Sequence, residues 1–179
     1  MTSGWQKSDL VIIAGRPAMG KTSFALSIAK NIAVDYREPV AFFSLEMNNV
    51  QLVDRLISNV CEIEGKKIMN GQLSRDEWDR FDKRLSKLTG VPLYIDDTPG
   101  MSIFELRTKA RRLVREKGVK LITIDYLQLM NASGARFGNR QEEVSTISRS
   151  LKGLAKELDI PVIALSQLNR TVENREGLE

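Results

Sequence analysis

Residues 15–22 read GRPAMGKT, so Gly15, Gly20, Lys21 and Thr22 fill the pattern GxxxxGK[ST]. A loop of this kind suits the holding of a polyphosphate. Its glycines let the backbone curl until successive N–H groups face the phosphates, Lys21 brings a point charge to the β and γ oxygens, and the Thr22 hydroxyl can ligate Mg²⁺. The expected nucleotide-binding residues are therefore Gly15, Arg16, Pro17, Ala18, Met19, Gly20, Lys21, Thr22 and Ser23. Kinases, GTPases and motors all use such a loop, so the reaction must be read from other residues.

Two acidic sites compete for the second Mg²⁺ position. Asp125 closes the apolar run of LITIDYLQLM, whereas Asp96 and Asp97 close PLYIDDTPG. Asp125 follows the more continuous apolar run, as a strand buried beside a phosphate loop should, and is the expected metal residue with Thr22. The Asp96-Asp97 pair leads into Thr-Pro-Gly and reads as turn initiation. Glu46 ends FFSLEM, where a carboxylate can orient and polarise an attacking water. A plainer reading stands beside it, because Asn48 and Asn49 resemble helix caps and an acidic residue near a helix start is commonplace. Gln167, in VIALSQLNR, offers an amide that can donate to a γ-phosphate and lose that contact after hydrolysis. A simple strand terminator is the alternative there. Lys21, Glu46 and Gln167 are the expected catalytic set.

These residues need a frame that brings them together. Five short apolar runs, Leu10 to Ala14, Val40 to Leu45, Leu93 to Ile95, Leu121 to Ile124 and Val162 to Leu165, alternate with helical patterns. Ser74 and Glu77 suggest a capping box ahead of Trp78, Phe81, Leu85 and Leu88, and Ser102 and Glu105 suggest another ahead of Leu106, Ala110, Leu113 and Val114. After Asn139, with Glu142 and Glu143 in the first turn, Val144, Ile147, Leu151, Leu154 and Leu158 recur at steps of three and four, one apolar stripe to lay on a sheet. The segments Gly65 to Gln72 and Asn131 to Arg140 read as the longest loops. Strands alternating with helices imply right-handed crossovers and a mostly parallel α/β sheet with helices on both faces. The carboxyl ends of its strands share one edge, so the phosphate loop, Glu46 and Asp125 are expected in one crevice.

Composition narrows the classes. At 179 residues the chain suits one core that buries roughly 70% of its unfolded surface. The single cysteine, Cys61, excludes a disulfide framework and reads as a core residue of a reduced, intracellular protein. With no histidine in the chain, His-type zinc sites and Ser-His or Cys-His mechanisms are excluded. No run approaches the ~20 apolar residues of a membrane span, and a cytoplasmic, soluble chain without a membrane partner is expected. The net charge of +4 permits a nucleic-acid partner without demanding one.

GRPAMGKT, FFSLEM, LITIDYLQLM and VIALSQLNR, in this order and with NRQEEVSTISRSLKGLAKEL between the last two, resemble the motor domain of bacterial replicative DNA helicases of the DnaB family. The resemblance runs from about Ser8 to Arg175. It implies a RecA-like P-loop NTPase core that uses ATP and Mg²⁺, assembles as a hexameric ring on single-stranded DNA, and meets a helicase loader and a primase. By position, Lys21 and Thr22 take the phosphate and Mg²⁺ roles, Glu46 activates water, Asp125 is the acidic Mg²⁺ partner and Gln167 senses the γ-phosphate. Arg55 resembles an arginine that approaches the nucleotide. The segments Asn131 to Arg140 and Leu168 to Glu179 are implied to face the pore, where Arg136, Arg140, Arg170 and Arg175 can grip backbone phosphates without reading bases. The family's final strands and its arginine finger have no counterpart in the sequence, so the chain reads as a fragment of a longer protein. A RecA-like recombinase or clock-type ATPase, and a small-molecule phosphotransferase, are the alternatives.

Overall fold

Phe42 and Phe43 are neighbours in the second strand, point to opposite faces, and are both fully buried. That alternation, repeated in the middle strands, gives the molecule two apolar layers. Ala41, Phe43, Ile122, Ile124, Val162 and Ala164 belong to one cluster, and Val40, Phe42, Leu121, Ile163 and Leu165 to the other. Strands buried on both faces belong to parallel sheets, and truncating either phenylalanine to Ala costs about 3–5 kcal/mol.

The computed structural model describes residues 4–131 and 140–168, the side chain of Arg140 excepted. Among them, β1 (Leu10–Gly15), β2 (Val40–Ser44), β3 (Leu93–Asp96), β4 (Leu121–Asp125) and β5 (Val162–Gln167) form one sheet in the order β1-β5-β4-β2-β3. All four pairings are parallel. The helices are α1 (Lys21–Lys30), α2 (Asn49–Cys61), α3 (Gly65–Asn70), α4 (Arg75–Leu85), α5 (Ile103–Lys117) and α6 (Arg140–Leu158). Leu106 and Ala110 of α5 and Ile147, Leu151 and Leu154 of α6 cover one face of the sheet. Ala25, Leu26 and Ala29 of α1, with Leu52 and Leu56 of α2, cover the other. The α/β expectation, parallel with helices on both faces, holds.

Local signals explain most boundaries. The Ser74–Glu77 capping box is complete, and Glu77 also receives an ion pair from Lys67 at 2.7 Å. The second expected box is half made: Ser102 accepts the Glu105 N–H at 3.1 Å, while the Glu105 carboxylate turns to Lys109 at 3.1 Å. Residues 65–72, expected as loop, instead hold α3. Lys66, Lys67, Ile68 and Met69 form helix readily, and Gly71, at φ 65°, supplies the left-handed stop. Cys61 ends α2 in the core, and burial pushes its thiol pKa up. Three strands run one residue past their apolar runs, through Gly15, Asp96 and Asp125, β5 ends at Gln167, and β2 stops at Ser44, one residue before the end of its run.

On its outer side β1 meets no described strand, and Ile12 is 44% exposed. No helix among the described residues is long and apolar enough to cross a membrane.

Candidate nucleotide-phosphate site

The phosphate loop leaves the end of β1 and turns into α1. Ala18 (φ 61°) and Gly20 (φ 79°) both take left-handed backbone, which curls the loop. Gly20 is also the N-cap of α1 and carries no side chain over the helix N-terminus. Gly15 packs under Lys21: a Cβ on it would lie 3.3 Å from both Cγ and Cδ of that lysine. The Lys21 ammonium donates back to the Arg16 carbonyl at 2.8 Å.

The loop opens on a cleft of about 280 Å³. Pro17, Ala18, Gly20, Lys21 and Thr22 form one wall, and Glu46, Arg55, Asp125 and Gln167 line the remainder. Strand ends meet there by register: Ser44 of β2 is opposite Asp125 of β4, and Gly15 of β1 is opposite Gln167 of β5. The other expected residues sit at the rim. Gly15, Arg16 and Met19 line an adjoining hollow with Phe24, and Ser23 lines another between α1 and α2.

Asp125 is the most buried charged residue of the cleft, 1% exposed, and its Oδ2 has no hydrogen-bond partner. Burial raises its pKa, and the Glu46 charge adds to the rise. The Thr22 hydroxyl, Lys21 and Arg55 pull the other way without cancelling it. Asp96 is occupied differently, accepting from the Thr98 N–H at 3.0 Å and the Thr98 hydroxyl at 2.6 Å, with Lys109 at 2.9 Å. Burial opposes ionisation of Asp96, but these bonds outweigh it and its pKa falls. The turn reading of Asp96 therefore fits.

Glu46 lies in a loop held on several sides. The Ser44 hydroxyl accepts the Met47 N–H at 3.2 Å and donates to the Met47 carbonyl at 2.7 Å. The Leu45 N–H donates to the Asp125 carbonyl at 2.7 Å. Asn48 and Gln51 form a full capping box, so Glu46 stands outside the cap of α2 and is exposed to the cleft. Asp97 accepts from the Asn49 N–H at 2.8 Å and from its side-chain amide at 3.0 Å, tying the start of α2 to the end of β3. Further along α2, Arg55 donates to the Ser23 hydroxyl at 3.2 Å, bridging α2 and α1.

Met47, Gln51 and Tyr126 also line the cleft. Sequence reasoning did not single them out, although Gln51 stands three residues after an Asn cap and Tyr126 directly follows Asp125. Arg136, Arg170 and Arg175 lie outside the described residues, as does the side chain of Arg140.

Known proteins share this sequence and fold. The chain is 53% identical over 177 residues to the replicative DNA helicase DnaB of Nostoc sp. (strain PCC 7120 / SAG 25.82 / UTEX 2576), covering 98% of this chain and 20% of that protein. It is 51% identical over 176 residues to the replicative DNA helicase DnaB of Geobacillus stearothermophilus, covering 98% of this chain and 39% of that one. It thus spans about a fifth to two fifths of the length of these relatives. Among solved structures, a DnaB-like replicative helicase, described with its interactions with primase, superposes with a TM-score of 0.89 at 38% identity, covering 99% of this chain and 43% of that one. A separately solved ATPase domain gives the same 0.89 and 38%, covering 98% and 63%. The profile of the DnaB-like helicase C terminal domain matches residues 1–178. Agreement of sequence over nearly the whole length, and of fold with both solved structures, has one meaning: the chain belongs to the DnaB-like helicase C-terminal domain family.

Proposed function

We propose that this chain is the ATP-hydrolysing motor of a replicative DNA helicase. In this reading it binds ATP with Mg²⁺ in the cleft and, within a hexameric ring, couples hydrolysis to movement along single-stranded DNA. The observation that carries it is the buried, unpartnered Asp125 Oδ2, in a cleft walled by the phosphate loop and beside Thr22, Lys21 and Glu46. A carboxylate oxygen held out of water without a partner is costly unless something positive comes to it.

Thr22 and Asp125 fit Mg²⁺ as its holders. They are hard oxygen donors, and Mg²⁺ typically takes one or two protein groups while water and phosphate oxygens complete its shell. Bound there, the ion would neutralise charge on the β and γ oxygens. Lys21 exchanges the Arg16 carbonyl for those oxygens, and the N–H groups of the curled loop hold the β-phosphate. Glu46, supported by Ser44 and the α2 cap, accepts a proton from the attacking water and orients it in line. Gln167 donates to the γ-phosphate. Arg55 stands at the rim between α1 and α2. The arginines at 136, 140, 170 and 175 belong to the same proposal as grips on the strand, and so do contacts with a helicase loader and a primase.

The test is steady-state ATP hydrolysis with Mg²⁺, with and without single-stranded DNA, on this chain and on a polypeptide extended to the length of its relatives. Turnover by the extended form that DNA accelerates is the expected result. Turnover by neither form, or phosphate transfer to a small acceptor with no response to DNA, overturns the reading.

A further inference from the structure

The ladder between β4 and β5 stops early. The strands pair from Ile122–Val162 to Ile124–Ala164, whereas β5 continues to Gln167 beside Gly15 of β1. The Leu168 N–H donates to the Gly15 carbonyl at 3.1 Å. In a parallel ladder successive residues direct their peptide groups to opposite neighbours. The Gln167 N–H and carbonyl therefore face away from β1, toward the place that β4 has left.

Gln128 fills that place from the 3₁₀ turn Leu127–Leu129. Its Oε1 accepts the Gln167 N–H at 3.2 Å, and its Nε2 donates to the Gln167 carbonyl at 3.1 Å and to the Ser166 hydroxyl at 2.9 Å. A side-chain amide thus takes the part of a missing peptide and satisfies both main-chain groups of one residue. By strand alternation the Gln167 side chain falls on the same face as Ile163 and Leu165, the face of the phosphate loop helix, and it lines the cleft. Gln128 stands three residues after Asp125, so one short turn ties the buried carboxylate to the end of β5.

We infer that Gln128 is a positioning residue: by fixing the Gln167 backbone it sets the reach of the Gln167 amide, and with it the discrimination between nucleoside triphosphate and diphosphate. This rests on the reading of Gln167 as the γ-phosphate contact. A hydrogen bond to a charged oxygen changes affinity by about tenfold or more, and it is lost when the donor drifts by an ångström.

The experiment is calorimetric titration of this chain with MgADP and with the non-hydrolysable β,γ-imido analogue of MgATP. The variants are Gln128→Ala, Gln128→Met, Gln167→Ala, Lys21→Ala and the double variant Gln128→Ala/Gln167→Ala. Gln128→Met keeps the length of the side chain and removes all three hydrogen bonds, so it serves if the alanine variant fails to fold; far-UV circular dichroism reports folding. Gln167→Ala is expected to lower the ratio of triphosphate to diphosphate affinity by about tenfold. Either Gln128 variant is expected to lower it about three- to tenfold, with the ADP affinity within twofold of the parent chain, and to add nothing in the Gln167→Ala background. An unchanged ratio in a folded Gln128 variant, or full additivity with Gln167→Ala, overturns the inference. An unchanged ratio in Gln167→Ala, with binding lost in Lys21→Ala, overturns the inference and the γ-phosphate role of Gln167 while leaving the phosphate loop standing. Unchanged binding in Lys21→Ala overturns the inference together with the nucleotide reading beneath it.

Discussion

The ammonium of Lys21 donates to the carbonyl of Arg16 at 2.8 Å, closing the phosphate loop on itself. A lysine so held is already aimed across the loop, and a phosphate oxygen need only replace one acceptor by a stronger, charged one. Removing the ammonium leaves the loop N–H groups but deletes that charge-assisted bond, worth about 1.5–3 kcal/mol. Lys21→Ala is expected to weaken nucleotide binding by about 10- to 100-fold in titration calorimetry, with little change in melting temperature. Binding equal to that of the parent chain would remove the phosphate loop from its assigned role.

The Mg²⁺ role proposed for Asp125 and the stability of the ligand-free chain pull in opposite directions. Its pKa is raised mainly by burial, so the ionised form is disfavoured in the folded chain. Without ligand, stability is therefore fully present below the ordinary value of 3.8 and is lost as pH rises from there through the folded pKa. Asp125→Asn removes that burden and is expected to raise the melting temperature at neutral pH by about 2–4 °C, roughly 1 kcal/mol for a chain of this size. The gap should narrow as pH falls below the folded pKa and close near 3.8. Mg²⁺-dependent nucleotide affinity should behave oppositely, growing with pH in the parent chain and losing that dependence in the variant. Calorimetry across a pH series checks both signs.

Sequence and structure agree best where local chemistry decides. The apolar runs around Val40, Leu121 and Val162 became strands because β-branched and aromatic residues on both faces leave few other ways to be buried. Strand ends carry weaker signals: Gly15 and Asp125 resemble loop residues by type, yet the backbone pairs through them and so delivers them, with Gln167 at the end of β5, to the cleft. The 65–72 segment reads as loop in the sequence because its lysines carry no apolar stripe, and none of the residues of α3 is buried. The order β1-β5-β4-β2-β3 leaves no periodic trace, since it pairs segments about 150 residues apart. For the same reason the bonds of Asp97 to Asn49 and of Gln128 to Gln167 leave no mark in the sequence: each joins residues dozens of positions apart through side chains that are ordinary in their own neighbourhoods.

Glu157 of α6 receives Arg111 and Arg107 of α5, and these two guanidinium groups hold its carboxyl at a pKa of about 2. The group is largely open to solvent, so the stabilisation is small and screened by salt. A depressed carboxyl stabilises above its ordinary value of 4.5, and that contribution fades as pH falls from there toward about 2. Glu157→Gln is expected to lower the melting temperature by about 1–2 °C at pH 7. The difference should shrink in molar salt and disappear near pH 2. A difference that persists at low pH would mean packing rather than charge.

Asp97 and Glu46 test whether the cleft depends on its scaffold. Glu46→Gln keeps shape and hydrogen bonding but cannot accept a proton, so in the hydrolysing assembly nucleotide affinity should stay within about twofold while kcat falls by about 10²-fold or more. Retained turnover would return Glu46 to an acidic residue near a helix start. Asp97 is not in the cleft, yet both of its oxygens hold Asn49, the first residue of α2. Asp97→Ala removes a carboxylate from the positive end of that helix and frees the segment that carries Glu46. Its loss should lower the melting temperature by about 2–4 °C, as for a missing cap of about 1 kcal/mol. If Glu46 is the general base proposed above, its misplacement by about an ångström costs up to 10²-fold in rate, so kcat should fall about tenfold with KM nearly unchanged. Combining Asp97→Ala with Glu46→Gln separates the two contributions. If Asp97 acts through Glu46, the kcat of the double variant matches that of Glu46→Gln alone; a further fall would show that Asp97 supports some other part of the cleft.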